Sequence, residues 1–313
     1  MIRRRRIYEG KNKVLFEGPE PGTLVQYFKD DVLSGNPRRP ETAMGKGVLT
    51  NRISEYLMLK LAGVGIPSNL VRRLNMREQL VRQVEPIPLE LIIRNSAAGS
   101  FAERLGLSEG ADLPRSVLEF FYTKEDLERP FVSDEHITAF GWAAPHEVDD
   151  MMALALRVND YLSGLFLGIG LKLLDVRLVF GRLWDQEDMR IVLAEELSPE
   201  SFRLLDLRTG ERLDRERLGP APERLADVYR EIAHRLGLLT EGLTGAGGSS
   251  PVATLGVGGT PATVTTLNVA RGGAAVRAAA AITALPLAPA PALILDLDSG
   301  QNSETTSKGE QTP

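Results

Sequence analysis

Three segments hold residue types that suit phosphate or carboxylate chemistry. The first is Gly10-Lys11-Asn12-Lys13. A glycine turn between two strands lets backbone N–H groups approach phosphate oxygens, and Lys11 and Lys13 add charge. Alone, a lysine-bearing hairpin is more often only a hairpin. The second is Arg94-Asn95-Ser96-Ala97-Ala98-Gly99-Ser100. Its small residues lead from a strand into a helix, where backbone amides face an anion and Arg94 adds a fork of donors. A plain strand-to-helix turn would read the same way. The third is the strand Asp175-Val176-Arg177-Leu178-Val179, in which Asp175, Arg177 and Val179 share one face. That face carries either an ion pair or the lining of a polar cleft. Glu195 and Glu196 end the next strand, just before Ser198-Pro199. A carboxylate there can hold Mg²⁺ on ATP phosphates, although a solvated strand end has the same sequence.

Other chemistries are excluded by what is missing. Gly45-Lys46-Gly47 lacks the upstream glycine and the following Ser or Thr of a Walker A loop, and no GxGxxG opens a helix. A nucleotide must then bind beneath a β-hairpin lid. The chain has no cysteine, so disulfides and thiolate metal sites are out. His136, His146 and His234 are too scattered to build a metal site, which leaves carboxylates and suits Mg²⁺. The formal charge of −5 gives no basic field for nucleic acid. Arg3 to Arg6 are followed by Glu9, Lys11 and Lys13, not by a signal peptide's apolar run of about 7–15 residues. The expectation is a cytoplasmic protein.

These residues need elements to position them. Ile7-Tyr8 and Val14 to Phe16 read as strands around the glycine turn, and Thr23 to Lys29 as a third. Asp30 to Lys46 reads as a loop. Val48 to Leu61 reads as a helix ended by Gly63, Gly65 and Pro67. Leu70 to Leu74, Gln79 to Val84 and Leu89 to Arg94 read as strands, with Pro86 and Pro88 breaking the run as a hinge. Val148 to Phe166 is the longest helix, offering Met152, Leu156, Tyr161 and Leu165 to a buried face. Leu171 to Phe180 and Ile191 to Ala194 are strands, and Glu223 to Leu236 is a final amphipathic helix. The expected division is a β-rich N-terminal lobe over 1–85, a mixed lobe over 86–239 and a low-complexity tail over 240–313.

In this order the pieces resemble the SAICAR synthetase (phosphoribosylaminoimidazole-succinocarboxamide synthase) family of purine biosynthesis, from about Ile7 to Leu239. The carriers are YEGKNKVLFEG, the GKG at Gly45 to Gly47, IPLELIIRNSAAGSF, DEHITAFGW and ELSPESFRLLD. RVNDYLSGLFLGIG looks closest to alphaproteobacterial versions. The resemblance implies an α+β fold related to ATP-grasp and kinase architectures, with ATP clamped between two subdomains. It implies that ATP, CAIR (a carboxylated aminoimidazole ribotide) and L-aspartate give ADP, phosphate and SAICAR, with Mg²⁺. By position, Gly10, Lys11 and Lys13 match the family's phosphate lid and Lys46 its GKG lysine. Arg94, Ser100 and Arg203 match binders of the ribotide, Asp175 a substrate-site aspartate, Arg177 the usual lysine and Asn36 a substrate-loop residue. Glu195 matches a metal carboxylate. The partners implied are small molecules, with no nucleic acid or membrane, and a homo-oligomer is compatible.

The chain departs from the pattern at the chemistry. The family strand reads Asp-x-Lys-x-Glu, and its last carboxylate, a Mg²⁺ ligand, is Val179 here. Its second metal carboxylate is an aspartate, here Glu195. A nucleotide-site lysine falls on Thr123, beside Lys124, and a late arginine falls on Gly219. The substrate loop, usually Asp-Ala-Thr-Ala-Phe-Asn, reads Asp31-Val32-Leu33-Ser34-Gly35-Asn36. Losing a ligand that neutralises transferring phosphate predicts a divergent second copy of impaired activity. The rival readings are a small-molecule kinase, which the hairpin would serve equally, and a non-catalytic nucleotide or ribotide binder.

After Tyr229 the chain has no aromatic residue, and from Thr240 it is mostly Ala, Gly, Thr, Pro and Leu. Such a segment has few large side chains to offset its ordering entropy. Ala278 to Leu295 is uncharged, but Pro286, Pro289 and Pro291 break any spanning helix. The expectation is a disordered extension, not selected for packing. Limited proteolysis is expected to trim the purified chain back to about residue 240; a protease-resistant tail would overturn this.

Overall fold

The computed structural model describes residues 4–32, 41–124, 127, 129–186, 188–213 and 222–239. All lie in one compact unit, Met1–Ser249. The tail over 240–313, Asn36 and Gly219 fall outside the described residues.

Two antiparallel sheets carry the unit. The first is built from β1 (Arg6–Glu9), β2 (Lys13–Glu17), β3 (Thr23–Phe28), β6 (Leu70–Arg73) and β7 (Glu78–Arg82), in the order β1-β2-β3-β7-β6. Between β3 and β6 lie a two-residue pair, β4 (Asp31–Val32) with β5 (Glu41–Thr42), and helix α1 (Lys46–Gly63). The second sheet is built from β8 (Glu85–Ser96), β9 (Asp112–Tyr122), β10 (Phe131–Val132), β11 (Leu171–Asp185) and β12 (Asp188–Leu193), in the order β10-β9-β8-β11-β12. Strand β13 (Phe202–Asp206) also pairs with β11. Among the described residues, four more helices are α2 (Ser100–Leu105), α3 (Asp134–Ala139), α4 (Pro145–Leu167) and α5 (Pro222–Arg235). Among the described residues no helix is long and apolar enough to cross a membrane.

Strand β11 is the spine of the second sheet. Its first half pairs with β13 and its second half with β12, while β8 runs along the other side. The alternation read from sequence decides its faces. Val176, Leu178 and Phe180 are fully buried, together with Leu89, Leu91 and Ile93 of β8. Asp175, Arg177 and Val179 lie on the opposite face, directly across from Arg94, Ile92 and Glu90. Strand pairs opposite one another share a face, so this is the polar side of the sheet.

Helix α4 covers the apolar side, but not with the expected face. The buried stripe is Val148, Met151, Ala155, Val158, Leu162 and Phe166. Leu156 is exposed, and Met152, Tyr161 and Leu165 are only partly buried. The helix is apolar nearly all round between Met151 and Leu156, so residue type alone did not fix the face. Small Ala155, fully buried, lets the helix lie close to the sheet.

The prolines do not interrupt β8 as expected. The strand runs through Pro86 and Pro88. Pro86 faces Gly181, where the register of β11 shifts, and a proline is tolerated at a strand start beside a bulge. Pro88 contributes only its carbonyl, which accepts the Thr123 N–H at 3.1 Å. Strands β9 and β13 carried no sequence signal in our reading, and both complete the polar face.

The GKG segment has a structural logic of its own. Gly45 has φ 85, a left-handed conformation suited to glycine, and Gly47 lies so close to the chain that a Cβ would sit 2.5 Å from the Phe28 carbonyl oxygen. The Asp30 carboxylate caps the start of α1, accepting N–H bonds from Gly47 at 2.8 Å and Gly45 at 3.3 Å. It also accepts two bonds from Arg77, at 2.9 and 2.6 Å. Burial opposes ionisation of Asp30, but Arg77 and these two amides outweigh it and hold its carboxyl below the usual range. A depressed folded pKa gives stability that is complete above the unfolded value, about 3.9, and is lost as pH falls through the folded value. Asp30→Asn should therefore cost roughly 1–3 kcal/mol near neutral pH. In urea unfolding, the gap between variant and wild type should narrow as pH drops below about 4.

Candidate functional site

The polar face of the second sheet holds a row of buried charge. Arg94 of β8, Asp175 of β11 and Arg203 of β13 stand side by side in register. Arg203 Nε donates to both Asp175 oxygens at 2.8 Å, and an Arg94 terminal nitrogen donates to Asp175 Oδ2 at 3.2 Å. Arg94 Nε also donates to Glu119 Oε2 at 2.6 Å, and Arg104 of α2 pairs with the other Glu119 oxygen. The side chains of Arg94, Asp175 and Glu119 are 3–5 % exposed. Among the described residues, three guanidinium groups thus gather around two buried carboxylates on this face. The ring of Phe101 stacks under Arg94, 5.0 Å from centroid to guanidinium carbon.

The second feature joins the two sheets. Lys13, the first residue of β2, places its ammonium 2.8 Å from Glu196 Oε2 and 3.0 Å from Glu195 Oε1. Glu196 Oε2 also accepts from Gln26 of β3 at 3.2 Å. Burial works against the Lys13 charge, but Glu196 and then Glu195 outweigh it and push the ammonium's pKa above the usual lysine range. Lys46, 1 % exposed at the start of α1, reaches Glu200 Oε1 at 2.7 Å, the Asp31 carbonyl at 2.9 Å and Asn12 Oδ1 at 3.3 Å. It ties the hairpin turn, the backbone of Asp31 and the 195–203 segment to one cation. Ser198 and Ser201 brace that segment: the Ser198 N–H donates to Ser201 Oγ at 3.0 Å, and the Ser201 hydroxyl returns a bond to the Ser198 carbonyl at 2.9 Å.

Most residues singled out from sequence are brought together here. Arg94, Asp175 and Arg203 form one group, and Lys13, Lys46 and Glu195 another. Arg177 is exposed and donates to the carbonyl of Glu200, so it borders both. Gly10 and Lys11 form the hairpin turn, but the Gly10 N–H is committed to the Lys13 carbonyl at 2.9 Å and does not stand open. A Cβ at Gly10 would press on the Tyr8 ring at 3.0 Å, so a larger residue there would have to push that ring aside. Ser100 is exposed at the start of α2, and the preceding Gly99 N–H donates to Glu109 at 2.9 Å. Thr123 lies beside Pro88.

Four residues had escaped the sequence reading. Glu119 and Glu200 supply the counter-charges of Arg94 and Lys46. Gln26 orients Glu196. Glu90, directly across from Val179, is buried and paired with Arg129 at 3.1 Å. Of these Glu90 and Glu200 lay in quoted motifs, but the roles of Glu90, Glu119 and Gln26 depend on cross-strand register.

A SAICAR synthetase family model matches residues 6–236. This chain belongs to the SAICAR synthetase family. It is 61% identical over 241 residues to a phosphoribosylaminoimidazole-succinocarboxamide synthase of Rhodospirillum centenum, covering 77% of this chain and 95% of that one. It is 57% identical over 252 residues to synthase A of Bradyrhizobium diazoefficiens, covering 80% and 98%. Among solved structures, the synthase of Ehrlichia chaffeensis superposes with a TM-score of 0.72 at 38% identity, covering 76% of this chain and all of that one. A SAICAR synthetase described as a complex with ADP superposes with a TM-score of 0.68 at 30% identity, covering 73% and 96%. The fold expected of the family, with its β-rich N-terminal region, is therefore the fold of this chain.

The deep burial of Asp175 beside the exposure of Arg177, two residues along the same strand face, predicts a contrast in stability. Asp175→Asn should lose about 3–5 kcal/mol, because it removes the shared negative partner of Arg94 and Arg203 from a buried ion-pair row. Arg177→Met, at an exposed position, should stay within about 0.5 kcal/mol of wild type. Chemical denaturation of the two variants checks this.

Proposed function

We propose that this chain is the ATP-dependent ligase that joins CAIR to L-aspartate, giving SAICAR, ADP and phosphate. The observation that carries the reading is the 195–203 segment. It brings Glu195, Glu196 and Glu200 to the lysines of the hairpin side and Arg203 to the Arg94–Asp175 row. One short stretch thereby couples a phosphate-handling cluster to an anion-handling one. The ADP complex of a family member 30% identical to this chain supports nucleotide binding.

The chemistry explains why both clusters are needed. A carboxylate is a poor electrophile for an amine. Transfer of the ATP γ-phosphoryl group to the CAIR carboxylate gives an acyl phosphate, and the aspartate amine then displaces phosphate to leave an amide. The protein's work is to position the reactants and balance their charge. In this reading Arg94 and Arg203 hold the ribotide, with Ser100 at its margin; Asn36, matched by position only, lies outside the described residues. Asp175 fixes the two guanidiniums, and Arg177 faces the reacting carboxylate. Lys11, Lys13 and the Gly10 turn cover the nucleotide phosphates, and Lys46 locks that turn to Glu200.

The residues present fit a magnesium ion. Glu195 and Glu196 converge on a single cation position, and among the described residues no cluster of three or more metal-binding side chains exists. Mg²⁺ is commonly held by one or two carboxylates plus substrate phosphates and water. Bound there with ATP, it would neutralise charge on the transferring phosphoryl group. Val179 removes one of the two metal carboxylates of the family pattern, so the ion relies on the Glu195–Glu196 pair. A cytoplasmic setting and small-molecule partners belong to the same reading. A homo-oligomer would not alter it, since every proposed residue lies in one chain.

Incubation with ATP, CAIR, aspartate and Mg²⁺, with product analysis, tests the reading. The amide product with one ADP per turnover is expected. A phosphorylated ribotide as final product would indicate a kinase, and binding without turnover a non-catalytic relative. Val179→Glu should raise turnover when Mg²⁺ is limiting. No change in the Mg²⁺ dependence would show that this strand does not serve the metal.

A further inference from the structure

Lys13 does more in this structure than border a phosphate site. Its ammonium lies between the Glu195 and Glu196 carboxylates, at 3.0 and 2.8 Å. Its backbone is fixed at the start of β2, immediately after the hairpin turn, where it pairs across to Phe28 of β3. Glu196 is likewise fixed: its side chain is 9 % exposed and it accepts from Gln26, on the same sheet face as Lys13. Two carboxylates of neighbouring residues therefore close on one monovalent cation borne by the opposite sheet.

This rests on the reading of Glu195 and Glu196 as the magnesium carboxylates. A divalent ion and the ammonium cannot both occupy the point where those carboxylates converge, because two cations so close repel and compete for the same oxygens. We infer that Lys13 is a built-in counter-ion that a divalent cation must displace, so that metal enters the site together with the nucleotide. The exchange balances: nucleotide phosphates accept the ammonium, and the ion accepts the freed carboxylates. No bond is made or broken beyond these ion pairs. Two consequences follow. Without nucleotide the carboxylate pair binds divalent ions weakly. With nucleotide the two ligands strengthen each other reciprocally, as linkage requires.

The test is Mn²⁺ binding to the full chain, with no nucleotide or substrate, read from the electron paramagnetic resonance of free Mn²⁺. Lys13→Met keeps the aliphatic stem and removes the charge. It is expected to bind Mn²⁺ at least about tenfold more tightly than wild type, a difference of roughly 1.4 kcal/mol. Adding Glu196→Gln to that variant should abolish the gain, which assigns the ion to this pair. Melting followed by circular dichroism confirms that the variants fold, and Lys13→Gln repeats the measurement if Lys13→Met does not. Equal Mn²⁺ affinity in wild type and a folded lysine-free variant would overturn the inference. The readout uses no catalysis, so a failed ligation assay leaves it standing. Unchanged Mn²⁺ affinity beside normal ligation would refute the Lys13 role alone.

Discussion

The constraint on which the site depends is the burial of Asp175 between two arginines in the middle of an antiparallel sheet. A carboxylate only 3 % exposed is tolerable only when its oxygens are satisfied. Here that requires β8 and β13 to flank β11 in one register, Arg94 on one side and Arg203 on the other. A slip of one residue would send these charges into the face packed by Phe180, Leu178 and Val176. The charge row and the apolar core are thus two sides of a single register.

The same strand order delivers the 195–203 segment to the first sheet. Its carboxylates meet Lys13 and Lys46, which stand on different elements but converge because the GKG glycines let α1 start hard against β3. Ion pairs hold much of this junction. Asn69 adds neutral bonds, its N–H to the Leu193 carbonyl at 2.8 Å and its side-chain amide to the Ala194 carbonyl at 3.2 Å. A junction of this kind lets the Lys13–Glu195–Glu196 cluster exchange ion-pair partners while the Arg94–Asp175 row stays fixed by burial.

Much of this was legible in the sequence. The glycine turn, the alternation along β11 and the RNSAAGS segment each gave the right element, because each depends on local chemistry: turn geometry, a two-residue period, small residues at a strand end. The failures share a cause. The buried face of α4 could not be chosen because Met151, Met152, Leu154 and Leu156 are interchangeable by type, and the sheet selects among them. Pro86 and Pro88 looked like a break, yet a bulge in a partner some ninety residues later accommodates them. Glu119, Glu90 and Gln26 were invisible because their roles are set by cross-strand neighbours. The identity of the family was legible where its motifs lay, and the consequence of Val179 was not, since it turns on what else surrounds the metal.

The central claim is that the site activates the CAIR carboxylate by phosphorylating it, and isotope transfer tests that most directly. CAIR carrying ¹⁸O in both carboxylate oxygens should yield inorganic phosphate with one ¹⁸O per turnover, the other label staying in the amide carbonyl. Phosphate released without label, while the amide forms, would contradict the account.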